Sequence, residues 1–277
     1  MRILFLGDIV GRAGRTAVLD EVPQLRARLR LDFVVANGEN AAAGFGITER
    51  IARALLEGGI DCITSGNHVW DHREIIPYME AEPRLLRPLN FPPGTPGRGA
   101  GVFQAAGGGR VLVVNAMARL FMDPLDDPFA AVDKALAQAP LKAAVDAVVV
   151  DFHGEATSEK MAMGRFVDGR ASLCVGTHSH VPTADAQVLN GGTAYQTDAG
   201  MCGDYDSIIG MDPAESLQRF TGKIRMGRLS AALGPATLCG VVVETDDATG
   251  LARHVAPLRL GGRLKETWPG RDPEGPG

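Results

Sequence analysis

An α/β fold, built on a largely parallel sheet with helices packed against it, is what this chain of 277 residues predicts. Three observations carry the expectation. Short β-rich apolar runs recur along the chain, and most end in Gly, Asp, Asn or His. Helical patterns lie between them, as in βαβ units. The earlier runs are apolar without alternation, as expected of strands covered on both faces.

The first strand is expected at residues 3–8, reading Ile-Leu-Phe-Leu-Gly-Asp. A helix over 15–31 follows, because Val18, Leu19, Val22, Leu25 and Leu29 fall on one face at helical spacing. Strands at 33–40, 62–68, 111–116, 147–153 and 173–178 alternate with helices at 48–58, 71–82, 128–139 and 157–167. Thr48, Asp71 and Thr157 are expected N-caps. Thr157 has Lys160 three residues on and so forms no capping box. Further strands at 194–198, 238–245 and 254–260 make the last third strand-rich, adding antiparallel strands or a second sheet. Residues 88–99 are rich in Pro and Gly and read as a surface loop. Residues 1–266 read as one domain, with 267–277 as a loose Pro/Gly-rich tail.

Composition narrows the function. Lys and Arg number 28 against 33 Asp and Glu, a formal net charge of −5. That balance argues against a dedicated duplex-DNA or polybasic membrane binder, which would begin with net repulsion from phosphate. It leaves room for a phosphate-bearing small molecule at a local cationic site. No apolar run approaches the roughly 18 residues of a membrane span. Residues 3–6 are too short for a signal peptide and run into Asp8. A cytoplasmic location is the resulting expectation. Cys62, Cys174, Cys202 and Cys239 form no CxxC, and buried free thiols are expected.

Chemistry concentrates at the strand ends, which is where open α/β sheets bind ligands. The ends read Gly7-Asp8, Gly38-Glu39-Asn40, Gly66-Asn67-His68, His153-Gly154-Glu155 and Gly176-Thr177-His178-Ser179-His180. Each cluster is modest alone, but five at successive strand ends exceed what packing requires. Mixed carboxylate, amide and imidazole donors suit Mn, Fe or Zn rather than an all-oxygen Ca or Mg cage. A carboxylate such as Glu39 can bridge two cations, and Glu has no turn role after Gly38. Three of the six histidines are His153, His178 and His180, two of them in an HxH. His178 and His180 share a face if the strand continues through them; a turn between them would send them to different metals.

This set resembles the calcineurin-like metallophosphoesterases, whose pattern is an Asp after strand one, a GD, a GNH, a lone His and a final GHxH. The counterparts are Asp8, Gly38-Glu39-Asn40, Gly66-Asn67-His68, His153 and His178-Ser179-His180. Two departures are specific. The usual DxH is Asp8-Ile9-Val10, so one His is missing, and the usual bridging Asp is Glu39 followed by Asn40. Both match a bacterial Glu-Asn branch of the superfamily that acts on cyclic nucleotides and is best described as a 2′,3′-cyclic-nucleotide phosphodiesterase. The longer stretches 66–71, 151–160 and 197–201 match that branch as well.

The resemblance implies a four-layer α-β-β-α sandwich of two packed mixed sheets flanked by helices. It implies two divalent or trivalent metal ions, with iron the usual metal and manganese able to substitute. Asp8, Glu39, Asn40 and His180 would hold the first ion, and Glu39, Asn67, His153 and His178 the second. His68 would be the general acid for the leaving alkoxide, with in-line attack by a metal-bridging hydroxide on a phosphodiester. In the common pattern an acidic residue follows this His; here Val69 does, which leaves Asp71 as a candidate to orient it. A cyclic nucleotide is the implied partner, and a homo-oligomer is expected from base rates alone.

Other residues weigh less. Asp198, Asp204 and Tyr205 shape a substrate pocket or form a turn. Arg12 and Arg15 contact phosphate or are solvated residues of a helix start. Ser179 lacks the base and carboxylate of an activated nucleophile. His72 and His254 read as surface or structural. The stretch 7–14 looks superficially like a dinucleotide loop, but its glycine spacing is wrong for GxGxxG. Two alternatives compete with the cyclic-nucleotide reading: a broad phosphomonoesterase or phosphoprotein phosphatase, and a non-catalytic regulatory protein whose metal site is weakened by Val10.

Overall fold

The computed structural model of the chain describes residues 1–222 and 229–270. Two sheets pack face to face. The first has strands β1 (Arg2–Leu6), β2 (Asp8–Ile9), β3 (Phe33–Asn37), β4 (Cys62–Thr64), β11 (Met201–Asp204), β12 (Ala236–Thr245) and β13 (Ala252–Leu260). Their order is β2-β11-β12-β1-β3-β4, with β13 also on β12. The second sheet runs β5-β6-β7-β8-β10-β9, comprising Ala100–Gln104, Arg110–Met117, Ala147–His153, Leu173–Thr177, Ala194–Gln196 and Gln187–Val188.

Period-two alternation explains why both faces of the strands are apolar. In β1, Ile3 and Phe5 point between the sheets, where they meet Phe33, Val35, Val113, Val149, Val175 and Val241. Leu4 and Leu6 point outward to helices α1 (Gly11–Leu29) and α2 (Glu49–Glu57), which contribute Val18, Val22, Leu25, Ile51 and Leu55. On the far side, Leu112, Val148 and Val150 pack with α4 (Pro128–Gln138) and α5 (Thr157–Phe166). The four layers are therefore α-β-β-α. The remaining helices are α3 (Ile75–Ala81) and α6 (Pro213–Gly222).

The strand-rich last third adds an antiparallel hairpin, with β12 inserted between β1 and β11. The parallel pairs β1–β3–β4 and β6–β7–β8 place the carboxyl ends of both sheets at one edge of the molecule. A polar link ties the sheets beneath that edge: Asn37 Nδ2 donates to Asp151 Oδ2 at 3.3 Å, and Ser65 N donates to Asn115 Oδ1 at 3.0 Å.

Several expected boundaries differ. Helix α1 begins at Gly11, four residues before the apolar spacing predicts, because the glycines of 11–14 let it lie against the backbone. A Cβ on Gly14 would sit 2.0 Å from the Cys202 carbonyl oxygen. Thr48 does cap α2, accepting from Ile51 N. Asp71 is not the N-cap of α3, since residues 71–74 form a bend and turn and α3 begins at Ile75 after Glu74. Thr157 is the first residue of α5 rather than its cap, a position held by Ala156.

The 88–99 loop is ordered around the buried Arg87 guanidinium, which donates to the carbonyls of Pro88, Thr95 and Pro96. The start of the expected tail is also held. Thr267 pairs with Arg259, and the Arg28 guanidinium lies 3.7 Å from the centre of the Trp268 ring. The end of that tail, 271–277, lies outside the described residues. All four cysteines are free and buried. Among the described residues no helix is long and apolar enough to cross a membrane.

Candidate metal centre

The carboxyl edge brings the five polar strand ends together. Asp8 follows β1 where the chain swings over to pair with β11. Glu39 and Asn40 lie in the turn after β3, Asn67 and His68 in the turn after β4. His153 is the last residue of β7, and His178 and His180 follow β8. A glycine is required at position 66. An added Cβ would stand 2.3 Å from His153 Nε2 and 2.5 Å from Glu39 Oε2, inside the cluster itself.

Two groups of donors form, with Glu39 common to both. In one, His153 Nε2 lies 2.9 Å from Asn67 Oδ1, 3.1 Å from Glu39 Oε1 and 3.2 Å from His178 Nδ1. Glu39, His153 and His178 each offer a ligand atom, all within 4.8 Å of one another. In the other, His180 Nε2 lies 3.1 Å from the Asn40 amide and 3.8 Å from Asp8 Oδ1, and that amide is 3.3 Å from Glu39 Oε1. Asp8 Oδ2 accepts from His178 N at 3.1 Å. Asp8 Oδ1 is buried and, among the described residues, has no hydrogen-bond partner. A buried carboxylate oxygen left unpaired is costly, and a cation is the ligand that would satisfy it. With these carboxylate, amide and imidazole donors, the cluster fits a pair of transition-metal ions.

Electrostatics divide the imidazoles. Burial opposes charge on Glu39, but the His153 charge and hydrogen bond, helped by His68, hold its carboxyl down at about 2. Burial would likewise lower His153, yet Glu39 and then Asp8 raise it to about 9. His178 is pushed down to about 3 by burial and by the neighbouring His153 charge, so its lone pair is available at neutral pH. Burial raises the Asp8 carboxyl against the pull of His180 and His153. These charges thus favour a protonated His153 against an ionised Glu39, with His178 neutral beside them.

A second set of residues fixes the donors. Thr177 Oγ1 donates to Asp151 Oδ1 at 2.7 Å and therefore accepts from His153 Nδ1, 2.8 Å away. This leaves His153 Nε2 facing the cluster. His180 Nδ1 donates to the Ile209 carbonyl at 2.7 Å, which likewise turns Nε2 inward. The strand stops at Thr177, and His178 (φ 97°) and His180 (φ 65°) adopt left-handed backbone. That turn sends the two imidazoles into different groups. Its middle residue, Ser179, donates its N–H to Asp198 Oδ2 at 3.0 Å, and Asp198 pairs with the buried Lys160 at 2.8 Å.

His68 lies beside the donors, its N–H on Glu39 Oε2 at 3.0 Å and its Nδ1 3.3 Å from Asp71 Oδ2. Phe45 packs edge-on against its ring, with centroids 5.1 Å apart.

All seven residues singled out as metal ligands thus converge, with His68 beside them. Val10, in place of the usual His, is buried against Met201 and Met211 and offers no donor. Asp198 belongs to the buried scaffold of the His178–His180 turn. Asp204 accepts from the N–H groups of Asp206 and Gly234, and the Tyr205 hydroxyl donates to the His180 carbonyl. Sequence reasoning did not assign roles to Asn37, Asp151, Lys160 and Thr177. The one hint was a polar residue inside an apolar run, as at Asn37 and Asp151.

Two packed mixed sheets carrying this donor set on their shared carboxyl edge define a calcineurin-like metallophosphoesterase. Within that class the chain belongs to the YmdB-like protein family, whose model matches residues 4–258. It is 48% identical over 249 residues to the 2′,3′-cyclic-nucleotide 2′-phosphodiesterase of Bacillus subtilis, an alignment covering 90% of this chain and 93% of that one. A putative phosphatase/phosphodiesterase of Mycoplasma pneumoniae is 35% identical over 267 residues, covering 94% and 93%. Among solved structures, a hypothetical protein from Thermus thermophilus superposes with a TM-score of 0.88 at 45% identity, covering 95% of this chain and all of that one. A novel phosphatase from Mycoplasma pneumoniae superposes with a TM-score of 0.86 at 31% identity, covering 94% and 93%.

Proposed function

We propose that this protein is a metal-dependent phosphodiesterase that opens 2′,3′-cyclic nucleotides and accepts 3′,5′-cyclic nucleotides as further substrates. The observation that carries the reading is the crowding of Asn67 Oδ1, Glu39 Oε1 and His178 Nδ1 within 3.2 Å of His153 Nε2. Together with the likeness to the Bacillus subtilis enzyme, it supports a metal centre serving phosphodiester cleavage.

Asp8, Glu39, Asn40 and His180 would hold one ion, and Glu39, Asn67, His153 and His178 the other. Iron is the metal expected, with manganese able to substitute. Such ions supply Lewis-acid stabilisation of phosphoryl charge and a water acidic enough to ionise near neutral pH. The chain's own contribution is placement. Thr177, Asp151 and the Ile209 carbonyl fix the imidazoles, so that little reorganisation is needed as charge develops. His68 holds a proton for the leaving ribose oxygen. Water adds to phosphorus and gives up one proton to solvent, the P–O bond to the 2′ oxygen breaks, and that oxygen takes the His68 proton, giving a 3′-nucleotide; His68 is reprotonated from solvent. Asp71 orients the His68 ring through Nδ1. General-acid help of this kind contributes typically 10²–10⁴-fold.

The test is hydrolysis of 2′,3′-cyclic AMP by protein reconstituted with Fe²⁺ or Mn²⁺. Turnover to the 3′-nucleotide is expected, and it should be lost in His68→Ala and in Glu39→Gln. Protein that holds two metals but leaves this ester intact while releasing phosphate from monoesters would overturn the diesterase reading. Protein that binds no metal and turns over neither would favour a regulatory role.

A further inference from the structure

On the other flank of the 38–46 turn lies a cavity of about 580 Å³, between the start of α1, the start of α2 and residues 229–233. Among the described residues Arg12, Arg15 and Arg50 line it, with His72 at its wall, and no carboxylate does. In a chain of net charge −5 this clustering runs against the overall balance. The three guanidinium charges repel one another: burial first, and then Arg50 and Arg12, push the Arg15 guanidinium below its ordinary value. Arg15 is held in place by donating to the Ala41 carbonyl. Arg12 and Arg50 are exposed. The rest of the lining is largely apolar, with Ala42, Ile51 and Leu233 among it.

Guanidinium groups gathered without a counter-charge form a receptor for phosphate, whose oxygens they bind bidentately. Apolar walls beside them suit the face of a sugar or base. The cavity also lies close to the metal centre. Asn40 and Ala42 are two residues apart, so their Cα atoms are at most about 7–8 Å apart.

We propose that the Arg12–Arg15–Arg50 cavity is a second anion site, taking a nucleotide phosphate other than the one presented to the metal centre. That phosphate belongs either to the next residue of a short RNA strand or to a separate mononucleotide. The site stands on its own lining and does not depend on the diesterase reading.

The experiment reads binding, not turnover. A 5′-fluorescein-labelled trinucleotide with a 3′-phosphate is titrated with the metal-loaded protein by fluorescence anisotropy, at several salt concentrations. Arg12→Gln/Arg50→Gln alters two exposed side chains and should retain the wild-type urea midpoint; Arg50→Gln alone should be intermediate. The double variant is expected to bind at least tenfold more weakly, with the slope of log K against log salt flatter by about 0.7 for one lost phosphate contact. A parallel titration with 5′-AMP separates the sources. Equal arginine dependence for both probes indicates a mononucleotide site, and dependence for the trinucleotide alone indicates a strand neighbour. A Kd and salt slope unchanged by the double substitution for both probes would overturn the proposal, whatever the enzyme hydrolyses.

Discussion

Replacing Lys160 with Met is the sharpest test of how the metal centre is held. The ammonium is 2.8 Å from Asp198 Oδ2, and the side chains are 2% and 0% exposed. Met keeps most of the volume and removes the charge. Asp198 would then be a buried carboxylate with two backbone donors left, Ser179 N at 3.0 Å and Gly200 N at 2.9 Å. Breaking a buried pair by removing one partner costs about 3–5 kcal/mol. The two remaining donors place this case at the lower end, about 3 kcal/mol. Adding Asp198→Asn removes the stranded charge and keeps a side-chain oxygen for one of the two N–H groups, while the other faces the amide NH2. With one N–H left unpaired, the double variant should recover about 1 kcal/mol of that loss, as a double-mutant cycle measures. Urea unfolding at neutral pH, with the m-value checked for constancy, gives both numbers. Because Ser179 sits between His178 and His180, the single variant should also bind less than the wild-type complement of metal. A loss below about 1 kcal/mol for Lys160→Met, or a double variant no more stable than the single, would refute the reasoning.

Two further outcomes follow from the geometry. Gly66→Ala puts a methyl 2.3 Å from His153 Nε2, so the donors must separate; cyclic-nucleotide turnover should fall about a hundredfold or more in protein with a native circular dichroism spectrum, and a wild-type rate would contradict the placement. In metal-free protein His153 stands at about 9, raised from 6.5, so Mn²⁺ must displace a proton. Calorimetry in buffers of different ionisation enthalpy should detect about one proton released at pH 7. Apparent affinity should rise with pH up to about 9, while the His153–Glu39 contribution to metal-free stability is full between about 4.5 and 6.5, lost as pH rises from there to about 9 and lost as it falls from 4.5 to about 2; affinity independent of pH would refute the pairing.

The amino-acid sequence by itself determined the chemistry of the strand ends. Apolar runs that stop at Gly-Asp, Gly-Glu-Asn, Gly-Asn-His and His-Gly announce strands feeding polar turns, and this signal is local. It also determined the layered α/β class, since strands apolar on both faces require cover on both. Helix starts were less legible. The glycines of 11–14 fell outside the expected helix, although Gly14 lies against Cys202, and of the two readings of Asp71, cap and partner of His68, only the second holds.

The family resemblance implied two groups of donors, but only the tertiary structure shows what physically separates them. His178 and His180 alternate as on a strand, but the strand ends at Thr177 and left-handed backbone sends them apart. The contacts enforcing this, Lys160 with Asp198 and Thr177 with Asp151, join residues 38 and 26 positions apart. The arginine cavity likewise needs α1 and α2 side by side before Arg12, Arg15 and Arg50 share a space. The physical reason is common to all of these. A strand end is written in consecutive residues, whereas a buried ion pair or a charged cavity exists only where distant segments are packed together and water is excluded between them.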